Sequence, residues 1–292
     1  QIIDFFTKNK FYEIDTAHVY NEGDSERFIG KAIKKVNSNR HILATKVNPR
    51  ITGKLDSDSI TLQLMKSLER LDVRSVDVLY LHFPDPSTPI HETLKACASL
   101  HEQGYFKELG LSNYSAWEVV NIWHICKSNG WLQPTIYQGL YNFFSRDVER
   151  ELIPALREIG MRFYAYNPLA GGILSGKYND MKSLSIGRFT HRPNYQDRYW
   201  KVEFFNAIKK INKVCSDHDI KLIEAAFRWL INHSMLDGNK NDGVIIGCSN
   251  VKQLSQNISF FSSKSLPDDI TKCINDAWND VKNVSPRYFR TP

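Results

Sequence analysis

Residues Phe11 to Tyr20 read FYEIDTAHVY. The first half is a short apolar run of β-prone residues. It ends in Asp15, then small residues and, one loop later, Tyr20. A buried strand with a carboxylate at its C-terminal end and a phenol on the next loop puts both groups in one cleft. Packing alone gives little reason for that combination. Two later runs end in the same fashion, ILATK at Lys46 and VDVLYLH at His82.

On either side of this stretch, strand-like and helix-like segments alternate. Strands are predicted at 12–15, 42–46, 76–81, 106–111, 135–138, 162–166 and 244–246, each a brief apolar run bounded by polar or turn residues, as expected for strands covered on both faces. Helices are predicted at 25–36, 58–71, 89–103, 116–127 and 147–159, where apolar residues recur at three- and four-residue spacing. Ser57 or Asp58, and Ser115, supply N-caps, and Gly104, Gly130 and Gly160 follow the last turns of three helices. Residues 1–10 read as the end of a helix already under way. The alternation predicts a parallel sheet. Seven strands with room for an eighth before them fit a (β/α)8 TIM-type barrel, one domain over residues 1–292, better than a doubly wound sheet. Neither GxGxxG nor GxxxxGK[ST] occurs, in keeping with that choice. One long break in the rhythm, residues 167–200, is rich in Gly, Pro, Arg and aromatics, and insertions of that length are usually functional.

Bulk properties narrow the function classes. The chain has 292 residues, 42% hydrophobic, with a formal charge of +6 spread along it rather than blocked. Scattered cations read as solvated faces, so neither a nucleic-acid nor a membrane partner is expected. No charged-then-apolar leader is visible, and no apolar run approaches the ~18 residues of a membrane span, so a cytoplasmic protein is expected. The five cysteines are far apart and never in CxxC spacing, which argues against a disulfide framework and against a zinc site.

In a barrel of this class, reacting groups collect at the C-terminal ends of the strands. Those ends carry Asp15, Lys46, His82, Ser112 with Asn113, Gln138 with Tyr141 and Asn142, Asn167, and 247–249. Any one of them has a bland explanation, as a cap, a surface cation or a satisfied histidine. Polar residues at nearly every end do not. A phenol titrates near ~10 and is a poor proton donor at neutral pH. An adjacent ammonium stabilises the phenolate and makes it a better acid, while an imidazole can hold a carbonyl oxygen or relay the proton. Asp15 would pair with Lys46 and fix it. Such a set polarises a carbonyl and protonates its oxygen as hydride reaches carbon, with neither metal nor nucleophile.

These residues carry a resemblance. IDTAHVY, LATKV and YLHFPD, together with GLSNY (110–114), YQGLYN (137–142), NPLAGGILSGKY (167–178) and GCSNVKQLSQN (247–257), resemble the aldo-keto reductase superfamily of nicotinamide-dependent barrels over essentially the whole chain. HVYNEGDSE, LHFPDPSTP, SNYSAWEV, CKSNGW, GRF, NYQDRYW and the ending YFR are most similar to its aflatoxin-aldehyde and succinic-semialdehyde reductase branch. The resemblance implies an NADPH-dependent aldehyde reductase serving detoxification, with the tetrad Asp15, Tyr20, Lys46 and His82 and with Tyr20 as proton donor. Ser112, Asn113, Gln138 and Asp15 would hold the nicotinamide end, with Tyr166 or a neighbour stacked on its ring. Asn167, Leu169, Gly171, Gly172, Ser175, Gly176 and Lys177 would wrap the pyrophosphate. Arg188, Ser249, Gln253 and Asn257 would hold the adenosine end. Ser249 is also read as opening a helix whose positive end suits a phosphate, with Gln253 and Asn257 on one face. His82, Tyr195, Arg198 and Arg290 would contact substrate. Since an arginine fork fits a carboxylate, short acid-bearing aldehydes such as succinic semialdehyde are expected, with dicarbonyls and aflatoxin dialdehyde also implied. The resemblance is the only ground for a homodimer.

The family's N-terminal hairpin and first barrel strand have no counterpart in the sequence, so a fragment of an active enzyme and a natural form of low activity are both open. The competing reading is a weak or inactive NADPH-binding regulatory or sensor relative, which the intact tetrad argues against. A barrel isomerase would need a glutamate base or a metal triad at the strand ends, and neither is found.

Overall fold

The computed structural model describes residues 1–36, 40–178, 180–181, 188–191 and 193–290, with Arg188 described in its backbone only. Seven strands lie in sequence order in one sheet: β1 (Glu13–Asp15), β2 (Ile42–Val47), β3 (Val76–Leu81), β4 (Phe106–Ser112), β5 (Pro134–Leu140), β6 (Arg162–Tyr166) and β7 (Gly243–Val244). The registered neighbours β1 to β5, and β6 with β7, are parallel. Parallel strands in sequential order with helices between them are those of a (β/α)8 TIM-type fold lacking one strand.

The chain divides into two compact units, the first comprising Gln1–Gln138, Ala155–Arg162 and Phe289–Pro292, the second Gly139–Pro154 and Phe163–Tyr288. In the first unit, β2 is buried at every position after Ile42. That accounts for its nearly continuous apolar run, since a parallel strand is covered on both faces. Tyr80 of β3 is in register with Gly110 of β4, and a Cβ at Gly110 would stand 2.4 Å from the Tyr80 ring. Only glycine leaves that ring its place, 5.6 Å from the Lys46 ammonium.

Helices α1 (Ile2–Lys8), α2 (Asp24–Lys35), α3 (Pro49–Thr52), α4 (Ser57–Leu71), α5 (Ile90–Glu102) and α6 (Ala116–Ser128) complete this unit's framework. At Gly30 the helices α2 and α4 touch through backbone, because an added Cβ would lie 2.3 Å from the Leu71 carbonyl oxygen. Glu26 of α2, fully buried, accepts from Thr45 Oγ1 of β2 at 2.6 Å and from Arg70 Nε of α4 at 2.6 Å. Ser115 closes a capping box with Glu118 at the start of α6. Gly104, Gly130 and Gly160 have φ of 79°, 67° and 70°, the left-handed stops their positions predict. The cap of α4 differs: Asp56, not Ser57 or Asp58, accepts the Ser59 N–H.

The predicted helix at 147–159 is broken into a 3-10 turn (Asp147–Glu149) and α7 (Leu152–Glu158). Pro154 is the reason. It has no N–H, and its ring clashes with the carbonyl four residues earlier, so it is tolerated only in a first helical turn.

The second unit holds α8 (Arg188–His191), α9 (Pro193–Tyr199), α10 (Val202–Ser216), α11 (Leu222–Asn232), α12 (Val251–Ser259) and α13 (Asp268–Val281). The long break packs on its own aromatics: Tyr178, Phe189 and Trp200 sit 5.0 to 5.4 Å apart, and Phe205 joins Trp200 at 5.0 Å. Among the described residues no helix is long and apolar enough to cross a membrane.

Candidate active site

The first unit brings Asp15, Tyr20, Lys46 and His82 together. Lys46 projects from β2 with its side chain fully covered, and its Nζ donates to Asp15 Oδ2 at 2.7 Å and to the Thr16 carbonyl at 2.7 Å. Burial pulls the lysine below its ordinary pKa, and the carboxylates of Asp15 and Glu26 oppose that. The ammonium lies 4.9 Å from the centroid of the Tyr20 ring. Asp15 is held on its other oxygen as well, where Gln138 Nε2 donates to Oδ1 at 2.9 Å.

Local geometry explains how Tyr20 reaches this place. The three residues after it, Asn21, Glu22 and Gly23, have φ of 50°, 55° and 90°, a run of left-handed backbone that reverses the chain into α2. Such a run in non-glycine residues costs of order 1–3 kcal/mol each and persists where packing enforces it. Two ties do so. Thr16 Oγ1 donates to Ser25 Oγ at 3.1 Å, and the first turn of α2 grips β2 through Glu26 and Thr45.

His82 stands one residue past β3, with its ring centroid 6.2 Å from that of Tyr20. Its backbone N–H continues the ladder to the Val47 carbonyl at 2.9 Å, and its own carbonyl accepts from Asn113 Nδ2 at 2.9 Å. Asn48 orients the ring. Because Asn48 Oδ1 accepts the Arg50 N–H at 2.9 Å, its NH2 faces His82 Nδ1, 3.3 Å away. The ring nitrogen there is the acceptor, so the neutral imidazole carries its proton on Nε2. Burial first, then the charges of Lys46 and Arg50, hold the His82 pKa well below its ordinary 6.5.

That depression has a consequence for stability. The folded state keeps His82 neutral while the unfolded chain binds a proton below about pH 6.5, so its contribution is full above that pH and is lost as pH falls toward the folded-state value. Melting temperature should therefore drop between pH 7 and pH 5, and less steeply in His82→Gln. His18 and His233, also depressed chiefly by burial, leave a residual slope in that variant. Equal slopes in the two proteins would contradict the assignment.

The residues expected around a nicotinamide end lie at neighbouring strand ends of the same unit. Asn113 has φ 66° and spends its amide on the His82 carbonyl and on Ser112 Oγ at 2.9 Å, while its carbonyl takes the Arg290 N–H at 2.9 Å. Asn48 and Gln63, whose Oε1 accepts the Asn48 N–H at 2.8 Å, were not marked by their sequence context. The available signal was an Asn two positions past Lys46, directly before Pro49.

The second unit carries the residues expected to hold the rest of a dinucleotide. Tyr166 ends β6, half-buried. Asn167, at φ 64°, folds the next turn onto itself through Gly171 N–H to Oδ1 at 2.9 Å. From Leu169 to Gly176 the backbone turns through positive φ at Ala170, Gly171, Gly172 and Gly176. Among the described residues nothing lies within 4 Å of where a Cβ would stand at Gly172, Gly176 or Gly247, which leaves backbone there open to a phosphate. Ser175 Oγ donates to the Gly172 carbonyl at 2.6 Å, and Lys177 is exposed. Asn250, rather than Ser249, opens α12, its Oδ1 accepting the Gln253 N–H at 2.9 Å, while Gln253 Oε1 accepts the Ser249 N–H at 2.9 Å. Asn is the stronger N-cap where the two compete. Asn257 is buried. The Arg198 guanidinium lies 5.3 Å over the Tyr195 ring. The Arg188 side chain lies outside the described residues.

Burial pushes the thiols of Cys97, Cys126 and Cys215 up to about 12, away from the thiolate that a cysteine nucleophile needs. The sequence model of the Aldo/keto reductase family matches residues 1–279. The chain is 44% identical to aflatoxin B1 aldehyde reductase member 2 of Mus musculus, over 98% of this chain and 81% of that one. It is likewise 44% identical to aldo-keto reductase family 7 member A3 of Homo sapiens, over 98% and 90%. A fungal aldo-keto reductase of Pseudocercospora fijiensis is 36% identical over 99% of this chain and its own full length. A family match across nearly all of the sequence, joined to a buried lysine and imidazole with a carboxylate and a phenol beside them, makes this chain a member of the aldo/keto reductase family, and so an oxidoreductase.

Proposed function

We propose that the chain reduces aldehydes to primary alcohols with NADPH as hydride donor, residues 1–292 serving as one catalytic domain. The observation that supports this reading most is the fully buried Lys46 ammonium, which faces the Tyr20 ring at 4.9 Å and is fixed by Asp15 at 2.7 Å. A cation held there favours the phenolate left after the tyrosine gives up its proton. His82, neutral and protonated on Nε2, offers a hydrogen bond to the same carbonyl oxygen and withdraws electron density from it. Bound NADPH supplies the hydride. The chain's own part is to hold the carbonyl between Tyr20 and His82 and deliver the proton to oxygen.

Each unit, taken by itself, presents groups suited to part of a dinucleotide. Ser112, Asn113 and Gln138 present amide and hydroxyl groups suited to a carboxamide. Residues 169–177 present open backbone with an exposed lysine, and α12 presents a capped N-terminus with Gln253 and Asn257. Because an arginine fork fits a carboxylate, the preferred substrates are short acid-bearing aldehydes such as succinic semialdehyde, then dicarbonyls, and the names of its relatives add aflatoxin dialdehyde. Purified protein should consume NADPH in the presence of these carbonyls, and more slowly with NADH. Absence of consumption across the whole panel, with NADPH bound, would replace this reading by that of a cofactor-binding sensor.

A further inference from the structure

Beyond the tetrad, one cation stands at the same row of strand ends. β2 ends at Val47, and the Asn48 cap of α3 takes the Arg50 N–H at 2.9 Å, which fixes where Arg50 leaves the strand. Its guanidinium lies 4.6 Å over the Phe83 ring. Phe83 is stacked on His82 with centroids 4.7 Å and planes 27° apart, and its backbone is pinned by Tyr114 Oη donating to its carbonyl at 3.2 Å. His82 in turn meets Tyr20 at 6.2 Å. Two rings therefore separate the guanidinium from the phenol.

Arg50 differs from four less exposed arginines among the described residues. Arg70, Arg146, Arg162 and Arg228 each pair with a glutamate at 2.6 to 2.9 Å. Among the described residues no carboxylate stands within ion-pair distance of Arg50, although it is exposed and held in place by its ring. A guanidinium held over a ring still has N–H donors to offer an acceptor, and their fork matches a carboxylate. A merely solvated arginine has no need of an aromatic platform resting on a catalytic imidazole.

We infer that Arg50, seated on Phe83 beside His82, binds the anionic end of the substrate and selects acid-bearing aldehydes over neutral ones. This rests on the aldehyde-reductase reading and names its specificity residue within the first unit, separately from Arg198 and Arg290.

The test compares kcat/KM for succinic semialdehyde and for butanal, a neutral aldehyde of equal chain length, in wild type, Arg50→Met and Arg50→Lys. Methionine retains a long side chain over Phe83 and removes the fork. The acid-to-neutral ratio should fall roughly tenfold to a hundredfold in Arg50→Met, carried mainly by KM, with Arg50→Lys intermediate. A packing role would lower both substrates together and leave the ratio alone. An unchanged ratio in Arg50→Met overturns the inference while the reductase reading stands. If wild type reduces neither aldehyde, that reading fails instead, and succinate binding to the intact protein by calorimetry decides the inference: binding at least tenfold weaker in Arg50→Met supports it, and equal or absent binding overturns it.

Discussion

Tyr20→Phe is expected to lower kcat for aldehyde reduction by about a hundredfold to ten-thousandfold, the range that a positioned general acid supplies. The change removes one oxygen and little else. Phenylalanine keeps a ring face for the Lys46 ammonium, 4.9 Å away in the native chain, and an edge for His82. The turn at Asn21 to Gly23 follows its own left-handed backbone and is tied through Thr16 and Ser25. Melting temperature should therefore hardly move, and NADPH should bind within about twofold of wild type, read from quenching of protein fluorescence. A kcat within tenfold of wild type would remove Tyr20 from the proton-donor role.

Lys46→Met should be nearly as severe for turnover and more costly for the fold. With the ammonium gone, Tyr20 loses the charge that, under the proposed role, would make it a competent acid. Turnover at neutral pH falls, and the alkaline limb of the pH profile, where a protonated phenol is required, moves to higher pH. Asp15 loses its 2.7 Å partner and retains Gln138 at 2.9 Å. Breaking a buried ion pair from one side costs about 3–5 kcal/mol, and Asp15, partly open to solvent, places this case at the low end. Chemical denaturation separates that loss from the catalytic one. An unchanged pH profile in a folded variant would contradict the role given to Lys46.

The parts of this site legible in the sequence are those whose positions are set by period and strand end. Asp15, Lys46 and His82 each stand at or beside the C-terminal end of a strand, so the rule that parallel strands deliver side chains to one edge suffices to group them, although β1 is half-exposed where the sequence predicts a buried strand. The residues that hold them were not legible. Glu26 reads as one of many acids in a helix's first turn, and its burial against Thr45 and Arg70 follows only from the backbone contact that Gly30 permits. Asn48 reads as a turn residue before proline, yet its amide sets the tautomer of His82. The same holds for Arg50 and Phe83, adjoining in space through neighbouring strands and 33 positions apart in the chain. Local signals failed where competition between neighbours decided the outcome: Asp56 over Ser57 at one cap, Asn250 over Ser249 at another, and Pro154 inside an otherwise helical period.

The most direct test of hydride and proton meeting at one carbonyl is isotopic. Wild type supplied with NADPH carrying deuterium at the transferable position and with succinic semialdehyde should release an alcohol bearing one deuterium on its carbinol carbon per cofactor oxidised, and Tyr20→Phe should bind the same cofactor yet form almost none. Oxidation of the cofactor without label in the alcohol, or equal labelled product from Tyr20→Phe, would contradict it.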